Sequence, residues 1–226
     1  MSASIFPSRW NVEHPDRLQL YFMATPNGLK GSIVLEELEL PYEAHRVDIM
    51  ANHQFDEDYV AINPNSKIPT LVDPKGPGGE PMAIMESGAI LMYLAQKAGK
   101  LLSSDPRLHS ETMQWLFFQV GHVGPMFGQF GHFFKFAKGK TDTYGEERYG
   151  KETKRLLGVL DRRLADREYL AGEFSIADIA TVPWLNALDF YGAKDVVDYA
   201  SFKNVNAWVE RFMARPGVQR GLAVGK

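Results

Sequence analysis

No cysteine occurs among the 226 residues. Disulfides, thiolate metal sites and a thiol nucleophile carried by the protein itself are therefore excluded, and any sulfur chemistry must come from a bound thiol. No apolar run approaches the ~20 residues that a membrane-spanning helix needs, so a membrane is not an expected partner. A block of basic residues is also lacking. With 25 Lys and Arg against 28 Asp and Glu, the formal charge is -3, and nucleic acid, which needs concentrated positive charge, is not an expected partner either. Six scattered histidines show no HxH or HExxH spacing, so no metal site is expected. What is present, 45% hydrophobic and 23% charged residues, is the composition of an ordinary soluble protein.

Residues 1–17 have no apolar segment of the secretory kind and read as a flexible N-terminal arm. From Leu18 the chain divides into two halves of different period. Leu18 to Phe22 is rich in strand formers, and Thr25-Pro26-Asn27-Gly28, by itself turn chemistry, interrupts it. Leu29, Ile33, Val34 and Leu38 recur at helical spacing, Pro41 stops that pattern, and Tyr42 to Ile49 reads as a second strand. A short helix or turn is expected over 54–62. Strands follow at Ile68 to Val72 and Met82 to Met85, separated by the turn-rich Asp73 to Glu80, and the helix Ser87 to Ala98 closes the half. The order βαβαββα gives a thioredoxin-like α/β domain over 18–98, with a parallel pair and an antiparallel hairpin in one sheet.

Gly99 to Pro106 breaks both periods and reads as a linker, and 107–226 reads as an all-helical domain. Tyr149, Thr153, Leu156, Leu160 and Leu164 step by three or four, as do Val205, Trp208, Val209, Phe212 and Met213; such stripes are core faces first. Ser175 to Asp178 forms a capping box with Asp in place of Glu or Gln, a folding signal rather than a chemical one. In Phe127 to Phe136 the glycines are expected to interrupt a regular helix, leaving pocket wall, dimer contact or core open for the aromatics.

An α/β thioredoxin-like half followed by an all-α half, with Ile68-Pro69, Glu86-Ser87 and the Ser175 to Asp178 cap, resembles the cytosolic glutathione transferases over about residues 18 to 220. Thr25-Pro26-Asn27-Gly28, Asn63 to Pro69, Gly79-Glu80-Pro81, Glu86-Ser87-Gly88 and Gln114-Trp115-Leu116-Phe117 are similar to the bacterial nu class and to the related fungal nitrogen regulator. The resemblance implies a cytoplasmic homodimer that binds glutathione as a thiol cosubstrate. It also implies residue roles. Ile68, before a Pro69 that is cis in the family, offers a strand edge to the cysteinyl peptide unit. Glu86 takes the ligand ammonium, and Ser87 at a helix start takes the γ-glutamyl carboxylate. Gln54 and Lys67 are candidates for the glycyl carboxylate, and Arg148 matches a position implicated in binding a glutathione carboxylate.

The family commonly places Tyr, Ser or Cys near the end of the first strand, where this chain has Thr25, with Asn27 two residues on; Tyr21, inside the strand, fits the role less well. Lowering a thiol pKa of about 8.5 by two units requires roughly 2.7 kcal/mol. One hydrogen bond to a charged group contributes ~1.5–3 kcal/mol and a helix N-terminus ~0.3–1. Glutathione-dependent disulfide reduction, which requires no enzyme cysteine, is the expected activity, with one or two glutathiones in each site. Conjugation to an electrophile, hydroperoxide reduction and a non-enzymatic regulatory role stand as alternatives, the last without the Asn/Gln-rich extension of the fungal regulator.

Overall fold

The computed structural model describes residues 5–140 and 142–225; the first four residues of the expected arm lie outside them. The chain forms two compact units, one of residues up to Lys100 together with those from Pro216 on, the other Leu101–Arg215.

The first unit is built on a four-stranded sheet: β1 (Leu18–Phe22), β2 (Tyr42–Arg46), β3 (Thr70–Asp73) and β4 (Met82–Ile84), in the order β2-β1-β3-β4. β1 runs parallel to β2 and antiparallel to β3, and β3 and β4 are antiparallel. Every residue of β1 is buried, as a central strand covered on both faces requires. Its one polar side chain, Gln19, is satisfied by the carbonyls of His14 and Arg17 and by His45 Nε2 at 2.6 Å. β2 ends three residues sooner than the sequence pattern suggests. There Asp48 Oδ1 accepts from the amides of Met50 and Ala51 and turns the chain into a short 3₁₀ segment.

Helices α1 (Pro26–Glu37), α2 (Glu57–Ile62) and α3 (Ser87–Ala98) alternate with the strands. Residues of the arm are anchored rather than loose. Ile5, Phe6 and Trp10 pack on Tyr21, Val47, Tyr59, Ile62 and Val72, and the Trp10 indole donates to the Arg46 carbonyl at 2.8 Å.

The second unit comprises α4 (Pro106–Phe118), α5 (Gly124–Gly131), α6 (Tyr144–Arg163), α7 (Ile176–Tyr191) and α8 (Lys203–Met213). The two stripes read from the sequence supply its core: Thr153, Leu156, Leu160, Leu164, Val205, Trp208 and Phe212 are buried. The capping box forms as expected. Asp178 accepts from the Ser175 amide at 2.9 Å, and the Ser175 hydroxyl caps the start of α7. The aromatic segment corrects the sequence reading. It stays helical through α5 and a π-helical turn at His132–Phe136. A Cβ on Gly131 would stand within 2.6 Å of the Tyr191 ring, so this glycine admits an aromatic neighbour instead of ending the helix. Phe127 and Phe130 are core, whereas Phe136 is exposed.

The helix α9 (Pro216–Ala223) belongs with the first unit, where the sequence reading had carried the helical half to residue 226. It packs along α1, and Arg220 bonds the Glu36 carboxylate at 2.8 Å and carbonyl at 2.9 Å. Among the described residues no helix is long and apolar enough to cross a membrane.

Candidate functional site

The register of the sheet collects most of the singled-out residues at one end of the first unit. Tyr21 pairs with Thr70, and Leu71 with Ile84. Continuing each antiparallel register sets Pro69 level with Phe22 on one side and with Glu86 on the other. β2 is parallel to β1, so the turn carrying Gln54 also leaves the sheet at this end. The start of α1, the Ile68–Pro69 segment, the start of α3 and the turn after β2 thus share one edge.

Thr25 is the N-cap of α1. Its backbone is extended, as an N-cap requires, Pro26 supplies a preset φ at the first helical position, and Thr25 Oγ1 accepts from the Gly28 amide at 3.2 Å. Because the hydroxyl already accepts from the helix, its own proton is directed to some other acceptor. Gly28 lies against the strand end: a Cβ there would stand 1.9 Å from the Met23 carbonyl oxygen. That approach fixes where the cap sits. Asn27, half-buried, is in the first turn of the same helix.

Tyr21 takes no part in this arrangement. Its ring is fully buried, stacked on His45 at 4.7 Å and edge-on to Trp10. Its hydroxyl is buried with no hydrogen-bond partner among the described residues, and burial pushes its pKa up. It is core.

The Ile68–Pro69 peptide bond is cis. The Lys67 carbonyl before it is held by the Tyr59 hydroxyl and by Asn63 Nδ2, both at 2.7 Å, while the Lys67 side chain is exposed. Gln54 is half-buried with its Oε1 enclosed. Glu86 precedes α3 with φ of 67°, a left-handed conformation uncommon for a side chain of its size, and its exposed carboxylate accepts from Asn65 Nδ2 at 3.4 Å. Ser87, the first residue of α3, is 9% exposed and accepts from Lys30 Nζ at 3.1 Å.

Lys30 is the residue that sequence reasoning passed over. It is 1% exposed, and burial lowers its pKa to about 7 against the opposing pull of Glu86. The signal was available in the helical period: positions 30, 33 and 34 share a face, so this lysine lies on the buried stripe of α1.

Arg148 belongs to the second unit. It is exposed on α6, where it lines a cavity of about 610 Å³ with His122, Met126, Tyr144 and Arg155. Among the described residues there is no cluster of His, Asp and Glu able to hold a metal ion.

Residues 25–97 match the model of the glutathione S-transferase N-terminal domain, and residues 123–216 that of the glutathione S-transferase C-terminal domain. Over 207 residues the chain is 46% identical to the disulfide-bond oxidoreductase YfcG of Escherichia coli, spanning 91% of this chain and 94% of that protein. Among solved structures, a glutathione transferase family member from Pseudomonas fluorescens with two glutathione bound matches with a TM-score of 0.95. Its identity is 50%, over 98% of this chain and 99% of that one. A glutathione transferase from Pseudomonas putida, with one glutathione disulfide bound per subunit, matches with a TM-score of 0.94 at 50% identity over 96% of each chain.

Proposed function

The chain belongs to the glutathione S-transferase family, and from that premise we propose that it reduces disulfide bonds with glutathione held as a thiolate at the start of α1. The observation that supports the reading is Thr25: a hydroxyl at the N-cap of α1 that accepts from the Gly28 amide and keeps its own proton to donate to a bound sulfur. The absence of cysteine fits the same chemistry, since both reducing thiols then come from glutathione.

The reaction runs in two exchanges. A bound glutathione thiolate attacks one sulfur of the substrate disulfide, forming a mixed disulfide and expelling the other sulfur as a thiolate that takes up a proton. A second glutathione thiolate attacks the glutathione sulfur of that mixed disulfide, releasing glutathione disulfide and the second product thiol. Two glutathiones are oxidised and one disulfide is reduced. The protein's part is to keep the attacking sulfur ionised and in line. Glu86 and Ser87 hold the two charges of the γ-glutamyl group, Ile68 and Pro69 the cysteinyl backbone, and Gln54 and Lys67 the glycyl end. Arg148 serves a second glutathione carboxylate. A cytoplasmic homodimer is the proposed form.

The test is reduction of a small model disulfide by glutathione, followed through the glutathione disulfide produced, before and after treatment of the protein with an alkylating reagent. Enzymatic turnover that survives alkylation is expected. A rate equal to the uncatalysed exchange would remove the reductase reading and leave conjugation to be assayed.

A further inference from the structure

The segment that carries Gln54 has little burial of its own. Val47 and Tyr59 at its two ends are fully buried, whereas none of residues 48–58 is. Between those ends the chain makes two 3₁₀ turns, Ile49–Ala51 and His53–Phe55, about Asn52 with its φ of 63°. A stretch with so little burial opens at low free energy, and a ligand contact made from it must first order it. Where Gln54 stands is therefore decided by how the ends of the segment are tied.

One tie is to the sheet, through the Val47 amide and the Phe22 carbonyl at 2.8 Å. Further ties come from three consecutive residues of the arm. Trp10 Nε1 donates to the carbonyl of Arg46, the last residue of β2, at the point where the chain leaves the sheet. At the other end Asp56 occupies the N-cap position of α2 yet makes no cap hydrogen bond, and its carboxylate is paired with Arg9 instead. Asp58 Oδ2 accepts from the Ser8 amide at 3.0 Å and from the Ser8 hydroxyl. The Trp10 ring joins the two ends, edge-on to Tyr21 of β1 at 5.5 Å and tilted against Tyr59 of α2 at 5.9 Å. Exposed ion pairs contribute little, so Trp10 is the main fastener. Glu86 and Ser87 follow β4, the edge strand opposite β2, and are supported by Asn65 and Lys30 rather than by the arm.

We propose that Trp10 is a positioning residue that sets Gln54 for the glycyl carboxylate, so that the arm makes the site selective for a ligand ionised at its glycyl end. Gln54 Oε1 is enclosed by protein, which leaves the Nε2 end of the amide to meet that anion. The inference rests on the glutathione reading above and deepens it. The γ-glutamyl end, assigned to Glu86 and Ser87, is served without the arm.

The experiment compares calorimetric titrations of the full chain with S-methylglutathione and with its analogue amidated at the glycyl carboxylate. The methylated sulfur keeps thiolate formation out of the measurement. The unaltered protein should prefer the carboxylate form roughly 10- to 100-fold, as one hydrogen bond to a charged group provides. Trp10→Ala should erase most of that preference, weakening the carboxylate form about 10-fold and leaving the amide within about twofold. Trp10→Phe, which keeps a ring and loses the indole donor, should fall between. In a Gln54→Ala background, Trp10→Ala should weaken the carboxylate form by less than about twofold more, because the residue through which the arm acts is gone. A loss of both ligands alike, an unchanged preference in Trp10→Ala, or full additivity with Gln54→Ala would overturn the inference and leave the glutathione site standing. Equal affinity of the unaltered protein for the two ligands would do the same. Failure of the unaltered protein to bind S-methylglutathione at all would remove the site and the inference together. Should Trp10→Ala not fold, Ser8→Ala combined with Arg9→Gln, both at exposed positions, carries the same test with a smaller loss of preference expected.

Discussion

Two hydroxyls at this edge are oriented by the same device. Thr25 accepts from the Gly28 amide and Ser87 from the Lys30 side chain, so in each case one acceptor position of the hydroxyl is taken within the fold. For Thr25 the consequence is measurable on the sulfur. Thr25→Ala should raise the pKa of bound glutathione by about one to two pH units, the equivalent of one hydrogen bond to a charged group, while retaining much of the affinity, which resides in the peptide and its termini. Thr25→Ser should stay close to the unaltered value, and Asn27→Ala should have a smaller or comparable effect. Near-ultraviolet titration of the thiolate in the binary complex reads all three. Unchanged pKa values in both alanine variants would transfer the activation to the helix N-terminus and its amides. At this scale the motifs located helix starts, with Thr25 and Glu86 as N-caps and Ser87 as the first residue of α3. The sequence was silent on Lys30 because a lysine in a helix reads as surface by type, and only its register with Ile33 and Val34 reveals that it faces inward.

Elements were legible wherever a stop signal was local. α3 occupies the expected Ser87–Ala98, and α1 starts in the Thr25-Pro26-Asn27-Gly28 segment. They were misjudged where a tertiary neighbour decides. β2 stops early because Asp48 captures two amides, and the glycines of α5 answer to Tyr191 and Trp184, which are about 60 residues away along the chain and so invisible to local pattern. The start of α7 shows how much one element end can carry. Asp178 is fully buried and accepts from the amides of Leu170 and Ser175, the Ser175 hydroxyl and the Trp208 indole. Burial pushes its pKa up to about 6, with those four donors pulling against it. Asp178→Ala strands the donors together and should destabilise the protein by roughly 3–5 kcal/mol, whereas Trp208→Phe, which removes one of them, should cost less. Urea unfolding followed by circular dichroism measures both, and a loss below about 1 kcal/mol for Asp178→Ala would mean that water takes over the donors.

At the scale of the whole molecule, the alternation of strand and helix followed by uninterrupted helix gave the two-part architecture, but not the return of the chain. α9 joins the first unit through contacts with α1 across some 180 residues, such as Arg220 with Glu36, and no local period reports a partner so distant. Surface is equally hard to read from sequence, because a large apolar residue is assigned to the core by default. Met50 is 82% exposed and Phe55 59% exposed, on adjoining turns after β2. Single exposed apolar side chains are common, but two of this size within six residues form a patch whose burial against a second copy would be favourable, at about 25 cal/mol for each Å² covered. The proposed homodimer would supply that cover. Light scattering at micromolar concentration should therefore return twice the monomer mass of 25.5 kDa. Met50→Asp, which sets a charge in the patch without touching the sheet, should shift the population toward monomer in a concentration-dependent way. A monomer mass for the unaltered protein would refute the dimer, while a dimer indifferent to Met50→Asp would place its interface on another face.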